Sequence, residues 1–281
     1  WDTNAVGRAA IHVNDGSPVI KGNYIGTNAS GANLRNRNGI YLAAGADTVL
    51  IGGTAAGEGN VICHNLVDGI TSLSTSNTIT CHGNLVGVLP GGTVAKNVGD
   101  SLEISAGTIT LGAAGESRTN CLVGGAGNKG IRQTGGVLTM GGRNFVTGDL
   151  LMSAGTFTLG SSIMNVTGDI LATGSTVSTS TSTVTLDGGR QQTLTSFSPV
   201  YGLHYVGTGW AKLASNMTID RRLIVESRAV SCPSVTLTFA NNAAVKIGRG
   251  AAFKGVLTLD NSVFTTAIPG TSRYSLSIEP G

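Results

Sequence analysis

The chain has 281 residues, a formal net charge of +3 and a pI near 8.8. Gly contributes 43 residues, while only 12% of the chain is charged, 5% is aromatic and 40% is hydrophobic. The chain is too apolar for a disordered protein and too rich in Gly for a helical one, and its scattered Lys and Arg form no basic stripe of the kind that binds nucleic acid.

The sequence also bears on membrane insertion and on export. No run of about 18 apolar residues occurs, so we expect no membrane insertion. The sequence starts at Trp1 without a Met or a signal peptide, and we therefore expect a mature or excised piece of an exported protein.

A Cys-His pair occurs twice in the first third of the chain, at Cys63-His64 and at Cys81-His82. Adjacent residues in a strand point to opposite faces, so the two thiols and the two imidazoles cannot close one tetrahedral zinc site. The flanking Asn and β-branched residues repeat with the pairs. The sequence therefore indicates an internal repeat, with one copy around Cys63 and a second around Cys81.

Repeats are clearer in the second half. "VTGDLLMSAGTFTLG" begins at Val146, "VTGDILATG" begins at Val166, and "GDSLEISAGTITLG" from Gly99 is an earlier copy. Each unit contains short alternations such as "TFTL" and "TITL" between Gly, Asn, Asp or Ser. This pattern predicts short strands joined by turns, with almost no α-helix.

A period of about 18–22 residues with two or three strands predicts an all-β, single-stranded parallel β-helix, or β-solenoid. Division of the chain by this period predicts roughly 14 coils and a rod about 65 Å long. We expect one type of coil over residues 1–95 and Gly/Thr-rich coils over 96–281, with a change of cross-section near 190–215. A pair of β-sandwiches is the alternative, because "NG" at Asn38 and "DG" at Asp68 also suit hairpins.

Three segments carry a resemblance: "GNYIGTNASG" (22–31), "NGIYLAAGADTVLIGG" (38–53) and "EGNVICHNLVDGI" (58–70). They resemble the right-handed parallel β-helix repeats of large bacterial exported and cell-surface proteins. The later Gly/Thr-rich units resemble the repeats of adhesin-like solenoids. The resemblance implies a right-handed coil and an extracellular or cell-surface location, and it supplies no catalytic motif.

If the two Cys-His pairs lie one coil apart, Cys63 stacks on Cys81 at a distance that a disulfide accepts, and export would permit the bond. Two stacked, buried thiols are the alternative. By the same spacing Asn65 and Asn84 lie at one corner, which predicts a ladder of Asn side chains.

Asp149 and Asp169 occupy the same place in neighbouring copies, and Asp187 follows after roughly one further period. Such a column is the candidate for a cation site, with Ca²⁺ as the ion, because stacked like charges repel. The alternative is ordinary turn chemistry, in which each carboxylate accepts backbone N–H groups.

The segment 197–210 holds much of the aromatic content of the chain. Exposed Trp210, Tyr201 or Tyr205 would form a stacking platform for sugar. Alternatively Tyr201 and Tyr205 fill the core, with Trp210 exposed.

These observations predict a non-catalytic extracellular structural or adhesive solenoid that needs no cofactor. It would be part of a large surface protein or a subunit of a filament stacked end to end, so its partners are copies of itself, further coils, or surface polysaccharide. The alternative is a β-helix that binds or cleaves polysaccharide, such as a lyase or a tailspike-like protein, since that fold also carries enzymes.

Overall fold

The computed structural model describes residues 9–73, 75, 77–113, 116, 119–125, 129–178, 180–226, 229–239, 244–247, 252–259, 263–264 and 278–279. These residues form 30 strands and no helix. No helix of the described chain is therefore long and apolar enough to cross a membrane.

The strands belong to three faces. The chain visits the faces in turn as far as residue 178, and the described strands after it alternate between faces 3 and 1. Face 1 consists of β1 (Ala9–Gly16), β4 (Asn38–Ala46), β7 (Ile70–Ser72), β10 (Leu102–Ile104), β13 (Lys129–Gln133), β16 (Asp149–Met152), β19 (Ile170–Leu171), β22 (Gln192–Thr195), β24 (Ala211–Leu213), β26 (Ala229–Phe239), β28 (Ala252–Leu259) and β30 (Ile278–Glu279). Face 2 consists of β2 (Val19–Ile20), β5 (Thr48–Gly52), β8 (Thr78–His82), β11 (Thr108–Leu111), β14 (Val137–Met140), β17 (Thr156–Thr158) and β20 (Thr176–Ser178).

Face 3 consists of β3 (Tyr24–Ile25), β6 (Val61–Ile62), β9 (Leu85–Val86), β12 (Thr119–Val123), β15 (Arg143–Thr147), β18 (Ile163–Val166), β21 (Thr183–Leu186), β23 (Val200–Tyr205), β25 (Met217–Val225), β27 (Ala244–Ile247) and β29 (Val263–Phe264). The long strands β25 and β26 turn a corner, so each pairs on more than one face.

Each strand pairs in parallel with the strand of the same face in the next coil, as in β4 with β7 and β5 with β8. Parallel pairing between consecutive coils is the signature of a parallel β-helix. The fold prediction is confirmed. The alternative of packed hairpins is wrong, because the pairings between these strands are parallel and one isolated bridge, Val88 with Val94, is antiparallel.

The core is a set of apolar columns that run along the axis. Stacked residues of face 1 are at most 1% exposed: Ile40, Ile70, Leu102, Ile131, Leu150, Ile170, Leu194 and Leu213. Since alternate residues of a strand point inward, one apolar residue at this position in every coil fills the centre. Burial of each such side chain stabilises the fold by about 1.5–3 kcal/mol.

The coil length changes along the chain. Asn38 and Asp68, at equivalent corners of the first coils, are separated by 30 residues, and Asp68 and Asp100 are separated by 32 residues. The later coils are shorter, since Asp149 and Asp169 are separated by only 20 residues. The expected period thus holds for the later coils only, because loops 26–37, 53–60 and 87–101 lengthen the first ones.

Longer coils mean fewer of them. In the part of the chain that the structure describes, face 1 has twelve strands, which at a stacking distance of about 4.8 Å extend over roughly 50 Å, compared with about 65 Å predicted for the whole chain. The pairing of β7 with β10 spans the predicted boundary near residue 95 without a break. Near the second predicted change, the coil between Asp169 and Thr193 lengthens to 24 residues.

Candidate functional site

The structure brings three carboxylates together at the corner that precedes face 1. Asp68 lies two residues before β7, Asp100 lies two residues before β10, and Glu103 belongs to β10. Because β7 and β10 pair with Glu103 opposite Thr71, the three side chains converge. One ligand oxygen from each lies within 4.8 Å of the other two.

Backbone and hydroxyl donors hold Asp68 in place. Its Oδ1 accepts the backbone N–H of Asp100 at 2.7 Å, and its Oδ2 accepts the hydroxyl of Thr71 at 3.2 Å. One coil earlier, Asn38 accepts the backbone N–H of Asp68 in the same way at 3.2 Å. The cluster therefore belongs to a ladder in which each side chain accepts the backbone N–H of the equivalent residue in the next coil.

Among the residues that the structure describes, Arg132 forms ion pairs with two acids of this cluster. It lies opposite Glu103 on β13. Its Nε donates to Asp100 Oδ2 at 2.6 Å, and its Nη2 lies 2.7 Å from Glu103 Oε1. Charge-assisted bonds of this length are strong, so Arg132 fixes the orientation of both carboxylates.

Burial perturbs two of the acids. It raises the pKa of the Asp100 carboxyl, an effect that the hydrogen bond and charge of Arg132 oppose. Burial also raises the pKa of Glu103 to about 7, and both a hydrogen bond to Asp68 and the charge of Asp68 add to the rise. Low polarity and a like-charged neighbour both disfavour the charged form of an acid. The cluster can therefore retain a proton, or accept a cation in its place.

The sequence interpretation missed this cluster. Asp68 and Asp100 are 32 residues apart, and the shorter predicted period places them on different corners. The signal that could have found them is the repeated acid two residues before an inward aliphatic residue, in "DGI" at 68–70 and "DSL" at 100–102.

The predicted acidic column is present in part. Asp149 Oδ1 accepts the backbone N–H of Asp169 at 2.8 Å, and Asp169 Oδ1 accepts that of Thr193 at 2.8 Å. Arg190 contacts both acids, at 2.8 Å and 3.7 Å. Asp187 does not join them: it is exposed and follows β21 on face 3, whereas Asp169 precedes β19 on face 1.

The expected stacking of Cys63 on Cys81 is wrong. Cys81 belongs to β8 on face 2, opposite Ile51 and Leu111. Cys63 follows β6 on face 3, and its thiol contacts the carbonyl of Val88 at 3.4 Å. Both cysteines are buried and free, because the first coils are longer than the spacing of the two Cys-His pairs and the two thiols lie on different faces.

Ladders of Asn occur at two corners, with memberships that differ from the prediction. Asn65 donates to Asn97 at 2.9 Å and accepts from Asn36 at 3.2 Å. Asn84 belongs to another ladder, at the start of face 3, whose members are Asn23, Asn60, Asn84, Asn120 and Asn144. The prediction of one ladder with both Asn65 and Asn84 was wrong, because similar turn residues occur at the two corners.

The aromatic segment mostly fills the core. Tyr205 is 0% exposed and its hydroxyl donates to the carbonyl of Gly209, so this residue cannot contact a glycan. Tyr201 is half-buried and Trp210 is 46% exposed. Of the three predicted glycan contacts, Trp210 is thus the most accessible.

A shallow cavity of about 360 Å³ lies beside Tyr24, which is 45% exposed. Its floor contains Gly22, Gly59 and Gly83. Two smaller cavities lie beside Phe145 and Ile163 and beside Leu34 and Tyr24. None of these three cavities is lined by an Asp or a Glu.

Comparison with known proteins finds no family model, no curated protein and no solved structure that matches the chain.

Proposed function

We propose that this chain is part of an extracellular structural or adhesive β-solenoid of the bacterial surface type, without catalysis of its own. It acts as a stiff rod, either within a larger surface protein or as the subunit of a filament stacked end to end. The proposal rests on how the polar side chains of the described coils are used.

Buried polar residues bond one coil to the next. Asn84, which is 1% exposed, accepts the backbone N–H of Asn60 and donates to the carbonyl of Ile51. Asn120 repeats both bonds in the next coil, and Asn144 repeats the donation, to the carbonyl of Leu111. This continuous bonding along the axis is the single observation that carries the proposal, because it stiffens a rod and leaves these groups unavailable to a substrate.

The placement of the carboxylates also supports a scaffold. Polysaccharide hydrolysis needs two carboxylates that flank a bond of a bound substrate. In the described chain, Asp68 and Asp100 are 3% and 2% exposed, and the three cavities contain no acid.

Electron microscopy of the purified chain tests the structural role. We expect stiff rods whose length grows with concentration if subunits stack through the strand edges of their outer coils. Isolated monomers at high concentration would contradict assembly, and surface proteolysis of intact source cells would then test whether the rod is part of an exposed larger protein.

A polysaccharide ligand is the second candidate, because Trp210 is exposed and Tyr24 borders a glycine-floored cavity. Aromatic rings on such a surface stack against sugar faces. Binding of a glycan panel that falls in Trp210→Ala or Tyr24→Ala, with the half-buried Tyr41 of face 1 changed to Ala as the control, would favour this role. Release of unsaturated or reducing ends from uronic-acid polymers, with or without Ca²⁺, would establish an enzyme instead.

A further inference from the structure

The cluster of Asp68, Asp100 and Glu103 has the spacing of a cation site. One oxygen from each carboxylate lies within 4.8 Å of the others. Ca²⁺ binds carboxylate oxygens at about 2.3–2.6 Å, so two of its ligands are separated by about 5 Å at most. Mg²⁺ demands a near-ideal octahedron and keeps several waters, which suits three largely buried carboxylates less well than the flexible coordination of Ca²⁺.

A second observation concerns one carboxylate oxygen of Asp100. The Asp100 side chain is 3% exposed, and its Oδ1 is buried with no hydrogen-bond partner. Its Oδ2 is already bonded to Arg132. A buried carboxylate oxygen without a donor is costly, and native structures seldom leave one uncompensated. A cation held by Oδ1 would supply the missing partner.

The charges point in the same direction. Arg132 contacts Asp100 and Glu103 through one oxygen each, which leaves the second oxygen of each carboxylate outside these ion pairs. Three ionised carboxylates and the Arg132 guanidinium that pairs with two of them carry a net charge of −2, and the exposed Lys129 acts on Asp100 through its charge. One divalent cation makes this group neutral, and neutral groups are the ones that a protein interior tolerates.

We propose that Asp68, Asp100 and Glu103 bind one divalent cation, with Ca²⁺ preferred. The ion joins β7 and β10, and so ties together two long coils at the corner before face 1. Arg132 stays outside the coordination shell and orients two of the ligands. This site is independent of the proposed function, because a scaffold and a glycan-binding protein would use it in the same way.

Titration calorimetry of the full chain with CaCl₂ alone, after removal of divalent ions with EDTA, tests the site. We expect one equivalent of Ca²⁺ to bind, Ca²⁺ to raise the Tm, and MgCl₂ to bind at least about tenfold more weakly. Glu103→Gln keeps the shape of a partly exposed side chain and should weaken Ca²⁺ binding at least about tenfold. Asp100→Asn should do the same.

Asp187→Asn is the matched control, since Asp187 is an exposed acid outside the cluster. It should bind Ca²⁺ as the unmodified chain does. Absence of binding heat and of any Tm shift at millimolar Ca²⁺ would overturn the proposal. Unchanged affinity in Glu103→Gln would also overturn it, and this variant decides the outcome if Asp100→Asn does not fold.

Discussion

Val146 lies directly opposite Val166, one coil further along face 3, and both side chains are fully buried. The same column continues through Leu122 on one side and Leu186 on the other. A residue at this position therefore packs against its equivalents in the two neighbouring coils. Each coil is stable only because the next one covers it.

The first prediction concerns the Asn ladder at the start of face 3. Asn84→Ala should lower the free energy of unfolding by about 2–4 kcal/mol, because it leaves the N–H of Asn60 and the carbonyl of Ile51 without partners in a buried place. Asn165→Ala, at a half-buried position of β18, should change stability by less than about 0.5 kcal/mol. Urea unfolding followed by circular dichroism measures both. Equal changes in the free energy of unfolding for the two substitutions would show that the ladder does not stabilise the fold.

The second prediction compares the stability cost of a side chain at two glycines, one where only the backbone would be strained and one where a Cβ would also collide with the next coil. Gly52 and Gly57 have φ of +81° and +80°. A Cβ at Gly52 would lie 2.0 Å from the carbonyl oxygen of His82 in the next coil, whereas one at Gly57 would meet nothing within 4 Å. Gly57→Ala should therefore cost about 1–2 kcal/mol and Gly52→Ala about 2–5 kcal/mol. Unfolding curves of the two variants test the order, which would be reversed if the coils were spaced differently here.

The third prediction concerns the thiols. Burial raises the pKa of Cys81 to about 12 and that of Cys63 to about 11. At pH 8 the reactive thiolate is then about one part in a thousand or less. Iodoacetamide should leave both residues unmodified in the folded protein and modify both in urea, while the half-buried Cys121 reacts sooner. Peptide mapping distinguishes the sites, and a Cys63–Cys81 linked peptide would contradict the register of the first coils.

The fourth prediction concerns Arg132. Arg132→Gln removes the charge that contacts Asp100 and Glu103, and it should destabilise the chain by about 1–3 kcal/mol when measured in EDTA. Arg143→Gln, at an exposed position of face 3, is the control and should be nearly neutral. If both variants unfold at the same urea concentration as the unmodified chain, the ion pairs of Arg132 do not contribute to the free energy of unfolding.

The sequence was informative where the turns are short. Between Asp149 and Asp169 the coil has minimal turns, so the sequence repeats with the true period of 20 residues. In the first coils, similar Asn turn residues occur at two corners, near Asn60 and near Asn65, and loops of different length separate them. The two Cys-His pairs therefore lie at different corners of the coil. The spacing between them is shorter than a coil, and they look like a repeat only because both corners use similar turn residues.

The acidic cluster depends on that same register. Asp68 and Glu103 approach each other only when Thr71 pairs with Glu103, which fixes a coil of 32 residues. The loop 87–101 sets this length, and its composition carries no periodic signal. Arg190, which contacts Asp149 and Asp169, could not be assigned from the sequence for a similar reason, since it lies in a turn between β21 and β22.

Consecutive coils lie on one another in parallel register. Thr139 and Thr158 are direct neighbours in adjacent coils of face 2, and Thr158 in turn faces Ser178. Disulfide mapping by mass spectrometry, after mild oxidation of two double-cysteine variants, tests this most directly. Thr139→Cys with Thr158→Cys should cross-link, because neighbouring strands are about 4.8 Å apart, a separation that a disulfide accepts. Thr139→Cys with Ser178→Cys should not, since the coil of Thr158 lies between these positions and places them about 9.6 Å apart. A bond in the second variant, or none in the first, would contradict the stacked-coil structure.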